Sequence, residues 1–100
     1  MAIRTAIIEG CRTPFSRSGS NLKDMTAIDL GTLAVGKLMA RSGVRREDVD
    51  HLIYGTVMHN PHVPNMAREV GLATLPESVP AVTVSRACAS SNQAIADGVN

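Results

Sequence analysis

One hundred residues, 44% hydrophobic and 19% charged, describe one small folded unit. A unit of that size buries only ~60–70% of the surface its unfolded chain exposes. Ten basic and nine acidic residues spread along the chain give a net charge of +1, which leaves no electrostatic footprint for nucleic acid or an anionic membrane. With one Tyr, one Phe and no Trp, small and aliphatic side chains have to fill the interior.

The chain opens with AIRTAIIE, an apolar run rich in Ile that ends at Gly10, and it predicts a buried first strand over 2–9. GCRTPFSRSGSNLKDM follows, dense in Gly, Pro, Ser and Asn. It reads as a long loop, of the kind that has a function or covers one. Thr26 and Asp29 have the spacing of a capping box. Leu30, Leu33, Ala34, Val35 and Leu38 recur at helical spacing, and Gly43 supplies a stop, so a helix is expected over 27–42. Arg45-Arg46-Glu47-Asp48 reads as a solvated turn.

A second strand is expected over 51–58 (HLIYGTVM), then a loop through His59-Asn60-Pro61-His62-Val63-Pro64, where the prolines remove donors and restrict their neighbours. NMAREVGLA predicts a short helix over 65–73, with Met66, Val70 and Ala73 on one face and Gly71 weakening it. A third strand is expected over 81–86, and Ala89, Ala94, Ile95 and Val99 predict a helix over 89–99. Strands alternating with helices imply an α/β fold with a parallel sheet covered by helices. Open strand edges and a helix ending at Asn100 lead us to expect the N-terminal part of something larger.

No apolar run reaches the roughly 18 residues of a membrane span, and MAIRTAIIEG lacks the features of a secretion signal, so a cytoplasmic setting is expected. Cys11 and Cys88 lack CxxC spacing and are read as two free thiols, Cys11 as a small buried residue after the first strand. Gly31-Thr32-Leu33-Ala34-Val35-Gly36-Lys37-Leu38 approaches a phosphate loop. It fails on Leu38, which has no hydroxyl for Mg²⁺, and on its helical setting. His59 and His62 lack further ligands at metal-site spacing, and no metal site is expected.

Cys88 sits in VTVSRACASSNQAI, just after a strand and just before a helix. The carboxyl end of a parallel strand is where open α/β sheets place reactive groups. A helix start stabilises a thiolate and leaves backbone N–H groups free for a developing oxyanion. Ala87, Ala89, Ser90 and Ser91 are small enough to let a thioester approach, or simply to pack a buried cysteine tightly. Position and pattern leave both readings open.

The stretch Ser85-Arg86-Ala87-Cys88-Ala89-Ser90-Ser91-Asn92-Gln93-Ala94 resembles the nucleophilic-cysteine segment of the thiolases. Arg12-Thr13-Pro14-Phe15, Asp48-Val49-Asp50 before Ile53-Tyr54-Gly55-Thr56-Val57, and Asn65-Met66-Ala67-Arg68-Glu69 are similar to that family at family-like spacing, so the resemblance covers the whole chain. Many thiolases have Gly where this chain has Ser91. Pro64 to Glu69 together with Ser91 to Ala94 looks more like the 3-ketoacyl-CoA thiolases of the fatty-acid-oxidation complex than the short-chain biosynthetic enzymes.

The resemblance implies the first part of the first of two similar α/β domains, assembled as homodimers or tetramers, with a multienzyme β-oxidation complex as a further partner. It implies an acyltransferase that cleaves 3-ketoacyl-CoA with CoA, with CoA as a substrate and no cofactor or metal. Cys88 would be the acyl-accepting nucleophile, and its N–H an oxyanion donor. The histidine base and the second, acid/base cysteine belong to the family's C-terminal half, so His51, His59 and His62 are not recruited and the chain alone is expected to be inactive. Residues that bind CoA are not assigned, nor is a role for Asn65 to Glu69. Three alternatives accompany this reading: an acetoacetyl-CoA-forming acetyltransferase, a ketoacyl synthase, and a non-catalytic thiolase-like interface subunit. Arg12-Thr13-Pro14 and Gln93-Ala94 argue against the synthase.

Overall fold

The computed structural model describes residues 3–100. The first helix, α1, spans Ala27–Ser42, and its ends are set by local chemistry. The Thr26 hydroxyl accepts from the Asp29 N–H at 3.1 Å, and the Asp29 carboxylate accepts from the Thr26 N–H at 2.8 Å, so two helix-start donors are satisfied reciprocally. At the far end Gly43 takes the left-handed conformation, φ 71°, which only glycine adopts without penalty. A single 3₁₀ turn, Arg46–Asp48, follows, with Arg45 forked onto the Asp48 carboxylate at 2.8 and 2.9 Å.

Strand β1 (Leu52–Gly55), helix α2 (Met66–Thr74), strand β2 (Ala81–Val84) and helix α3 (Ser90–Val99) complete the chain. β1 and β2 pair in parallel, Leu52 opposite Ala81 through Gly55 opposite Val84, with α2 as the crossover between them. Both strands are shorter than the stretches 51–58 and 81–86 expected to form them. Residues after Gly55 and Val84 leave the ladder for turns that carry the site.

Side-chain alternation sends the two faces of the sheet to different helices. Leu52 and Tyr54 face α2 and α1: Leu52 lies against Gly71, and Tyr54 together with Val70 lies against Gly31. Ile53 and Gly55 face α3, meeting Gly98 and Ser90. A Cβ added to Gly31 would fall 2.5 Å from the Tyr54 hydroxyl and 2.9 Å from Val70 Cγ2. The glycine that resembles a phosphate loop is thus a close-packing position inside a helix. α2 is the centre of the molecule, burying Met66, Ala67, Val70, Gly71 and Thr74. The face read as Met66, Val70 and Ala73 is therefore corrected: Ala73 is exposed, and Gly71 is what lets α2 approach the sheet.

The first strand expected over 2–9 is not formed. Ala2 lies outside the described residues, and residues 3–10 have no regular structure, with Ile3, Ile7 and Ile8 exposed by 95%, 86% and 73%. A strand needs a neighbour to complete its hydrogen bonds, and among the described residues β1 pairs with β2 only. The segment instead runs beside the end of α1, where Ala6 to Glu9 face Leu38, Met39, Ser42 and Val44 across a shallow groove. Cys11 is accordingly exposed instead of buried, its thiol donating to the Ala34 carbonyl at 3.4 Å. The loop that follows is open as well. Arg12 stacks its guanidinium 4.6 Å from the Phe15 ring centre, and that ring is otherwise exposed.

Candidate active site

β2 ends at Val84 and α3 begins at Ser90, so the chain reverses within the five residues between them, Ser85-Arg86-Ala87-Cys88-Ala89. Ala87 carries the cost of that reversal. Its φ is 47°, the one positive φ among the described non-glycine residues, and holding a residue with a Cβ there costs on the order of 1–3 kcal/mol. Cys88 follows it directly, exposed and free, at the carboxyl end of the strand.

Ser90 holds this turn closed. Its hydroxyl accepts from the Arg86 N–H at 2.9 Å and donates to the Ala87 carbonyl at 2.7 Å, with the Thr56 carbonyl from the end of β1 at 3.3 Å on the same side. Ser90 is 3% exposed, so its hydroxyl has no water to turn to, while Arg86 and Ala87 around it are exposed. Two such bonds at ~0.5–1.5 kcal/mol each are of the size needed to offset the strain at Ala87. Gly55 makes the approach possible: a Cβ there would stand 2.6 Å from the Ser90 carbonyl oxygen and 3.0 Å from the Ser91 nitrogen, both backbone atoms that cannot swing aside.

The strand itself is tied from the other face. Asn65 caps α2, its side-chain oxygen accepting from the Arg68 N–H at 3.2 Å and from the Thr83 hydroxyl at 2.7 Å, while its amide donates to the Ala81 carbonyl at 3.0 Å. Thr83 in turn accepts from the Ala67 N–H at 3.0 Å, and Arg68 donates to the Glu77 and Val79 carbonyls at 3.0 and 3.2 Å. The Asn65 to Glu69 stretch, left without a role in the sequence, is thus a clamp between α2 and β2.

Donors without an acceptor among the described residues collect at the start of α3, directly after Cys88 in the chain. The Ala89 and Ser90 N–H groups turn back to the Arg86 and Ala87 carbonyls, and Gln93 N–H goes to the Ala89 carbonyl. Those of Cys88, Ser91 and Asn92 donate to nothing among the described residues. No side chain caps α3. A thiol beside unengaged N–H groups at a helix start is suited to nucleophilic attack on a carbonyl and to stabilising the oxyanion that results. Beside it, Arg86 donates to the Gln93 side-chain oxygen at 2.9 Å, and Gln93 donates to Asp97 at 2.6 Å.

His51, His59 and His62 are all exposed, on the approach to β1 and in the loop after it, and no histidine side chain hydrogen-bonds to the Cys88 turn. Among the described residues no group of three or more His, Cys, Asp or Glu is placed to hold a metal ion, and no helix is long and apolar enough to cross a membrane. The sequence pattern locates Cys88, but Ala87 and Ser90 stand out in it only as small residues and Gly55 only as part of a family-like run. The available signals were a serine at a helix start, where its hydroxyl bonds to local backbone, and a glycine ending a strand.

Residues 5–100 match the protein-family model described as thiolase, N-terminal domain. The chain is 45% identical over 95 residues to a 3-ketoacyl-CoA thiolase of Escherichia coli and 46% identical over 95 residues to one of Photorhabdus laumondii. In both cases the match covers 94% of this chain and 22% of the relative. Among solved structures it superposes on the Bacillus anthracis acetyl-CoA acetyltransferase with a TM-score of 0.75 at 32% identity, covering 80% of this chain and 21% of that one. On human mitochondrial 3-ketoacyl-CoA thiolase in complex with CoA the TM-score is 0.71 at 38% identity, covering 77% and 20%. The chain therefore spans about 22% of the length of the curated relatives it matches.

Proposed function

This chain belongs to the thiolase family, and from that premise we propose that the protein carrying it is an acyltransferase that cleaves a 3-ketoacyl-CoA with CoA, through an acyl thioester on Cys88. The observation that carries the reading is the exposed Cys88 thiol on a strained strand-to-helix turn, next to N–H groups with no acceptor. In the first step the Cys88 thiolate attacks the keto carbon, and the Cys88 N–H donates to the oxygen as it becomes anionic. The bond to the neighbouring carbon then breaks, leaving the acyl group on sulfur; the departing carbon takes a proton and leaves as acetyl-CoA. In the second step the thiol of a fresh CoA attacks the thioester, releasing the shortened acyl-CoA and the free Cys88.

Among the described residues no side chain hydrogen-bonds to the Cys88 thiol to take its proton, and none is assigned as donor to the departing carbon. We assign both roles to the portion of the relatives' length that this chain does not span, and the 100-residue chain alone is expected to be inactive. A cytoplasmic enzyme of homodimeric or tetrameric form, working in fatty-acid β-oxidation with no cofactor beyond its CoA substrates, completes the reading. A second reading, acetyl-CoA acetyltransferase, is supported by the likeness to the Bacillus anthracis structure, while the names of the curated relatives favour the longer 3-ketoacyl substrates.

In the full-length protein, Cys88→Ala is expected to lower kcat for thiolysis by at least ~10³-fold, while Cys11→Ala leaves it within about twofold. Thiolysis of both acetoacetyl-CoA and a longer 3-ketoacyl-CoA at the wild-type rate by Cys88→Ala sinks the proposal. Comparing the two substrates in the wild type separates the two readings.

A further inference from the structure

Ser90 lies two residues beyond the proposed nucleophile, yet its buried hydroxyl reaches both ends of the turn that presents it. It bonds to the Arg86 N–H and the Ala87 carbonyl and lies 3.3 Å from the Thr56 carbonyl across the sheet. A hydroxyl has one proton, so it donates to the nearer Ala87 oxygen, at 2.7 Å, while its lone pairs take the Arg86 N–H. Both partners flank Ala87, the residue held at φ 47°.

We propose that Ser90 is the positioning residue for Cys88: its hydroxyl clasps the turn across Ala87 and so fixes where the Cys88 sulfur and N–H stand relative to an incoming carbonyl. The inference rests on the functional reading above and adds to it a residue that touches neither substrate nor sulfur. Without the clasp, Ala87 relaxes to negative φ, the chain direction changes one residue before Cys88, and the sulfur and its donors lose their common target. Glycine at 87 removes the need for the clasp, because it holds positive φ without a Cβ penalty. Loss of a residue that merely stabilised the fold would lower stability without lowering kcat.

The experiment is steady-state thiolysis of acetoacetyl-CoA by the full-length protein as wild type, Cys88→Ala, Ser90→Ala, Ala87→Gly and the double variant Ala87→Gly/Ser90→Ala. Ser90→Ala is expected to lower kcat by about 10- to 100-fold with KM within about threefold, since a displaced nucleophile loses rate and not binding. The double variant is expected within about fivefold of Ala87→Gly, a strong coupling between neighbours. Wild-type kcat in Ser90→Ala overturns the inference, and so does a double variant as slow as Ser90→Ala. If Ser90→Ala does not fold, the double variant is read against Ala87→Gly alone, and a double variant that is itself unfolded or inactive also overturns it. A wild type without thiolysis, or an active Cys88→Ala, defeats the functional reading and this inference with it. An active wild type and an inactive Cys88→Ala leave only the role of Ser90 at stake.

Discussion

Each of the two cysteines follows an apolar run, and both are exposed, but the chain around them is built differently. Cys11 ends a segment with no strand partner among the described residues, held on the flank of α1 by its thiol-to-carbonyl contact and an exposed Glu9–Arg41 ion pair at 3.6 Å. Cys88 stands on a turn clasped by the Ser90 hydroxyl, packed against Gly55 of β1 through the Ser90 backbone, and tied to α2 by the Asn65–Thr83 clamp. Exposure alone therefore does not mark a reactive group. The difference lies in how many neighbours dictate the position of the sulfur.

Substitutions in the two regions should differ accordingly, and each can break the contrast. The largest effect is expected at Gly55, where a methyl group meets the Ser90 backbone; Gly55→Ala should cost about 1–3 kcal/mol in denaturant unfolding. A neutral result would show that α3 shifts freely against β1. Asn65→Ala removes a helix cap and leaves Thr83 short of an acceptor, for an expected loss of about 1–2 kcal/mol. An unchanged unfolding midpoint would remove the α2 brace from the account.

Tyr54 gives a smaller effect that depends on pH. Burial raises its phenol above the ordinary 10.0, so the folded state favours the protonated form. This contribution is fully present below the unfolded value and is lost as pH rises through the folded one. Tyr54→Phe should therefore flatten the fall in stability above about pH 10 and change it little at pH 7. An equally steep alkaline fall in the variant would contradict this. Smallest of all, Ile7→Ser in the loose N-terminal segment should change the stability of this chain by no more than about 0.5 kcal/mol. A loss of ~2 kcal/mol there would show that the segment packs like a core strand and would erase the contrast.

What could be read from the sequence follows the same divide. α1 was legible to the residue, because its capping box and its Gly43 stop are complete within the helix's own ends. β1 and β2 were located but drawn too long, since a strand ends where its partner's ladder ends, and Gly55 and Val84 are set by pairing. The stretch 2–9 has the composition of a strand and no partner among the described residues. Gly71 looked like a flaw in α2 until the sheet stood against it. At the site, the position of Cys88 between strand and helix was visible in the residue pattern. The positive φ of Ala87 was not, because it belongs to a turn that fits only where Gly55, more than thirty residues away in the chain, lets the Ser90 backbone approach.

The proposed role of Cys88 as carrier of the acyl group can be tested directly. Full-length protein would be mixed with a 3-ketoacyl-CoA in the absence of free CoA, quenched in acid and digested, and the cysteine peptides weighed by mass spectrometry. The acyl mass is expected on the peptide containing Cys88, none on that containing Cys11, and the mass is expected to be lost on brief addition of CoA before the quench. A protein that turns over 3-ketoacyl-CoA while its Cys88 peptide stays unmodified would contradict that role.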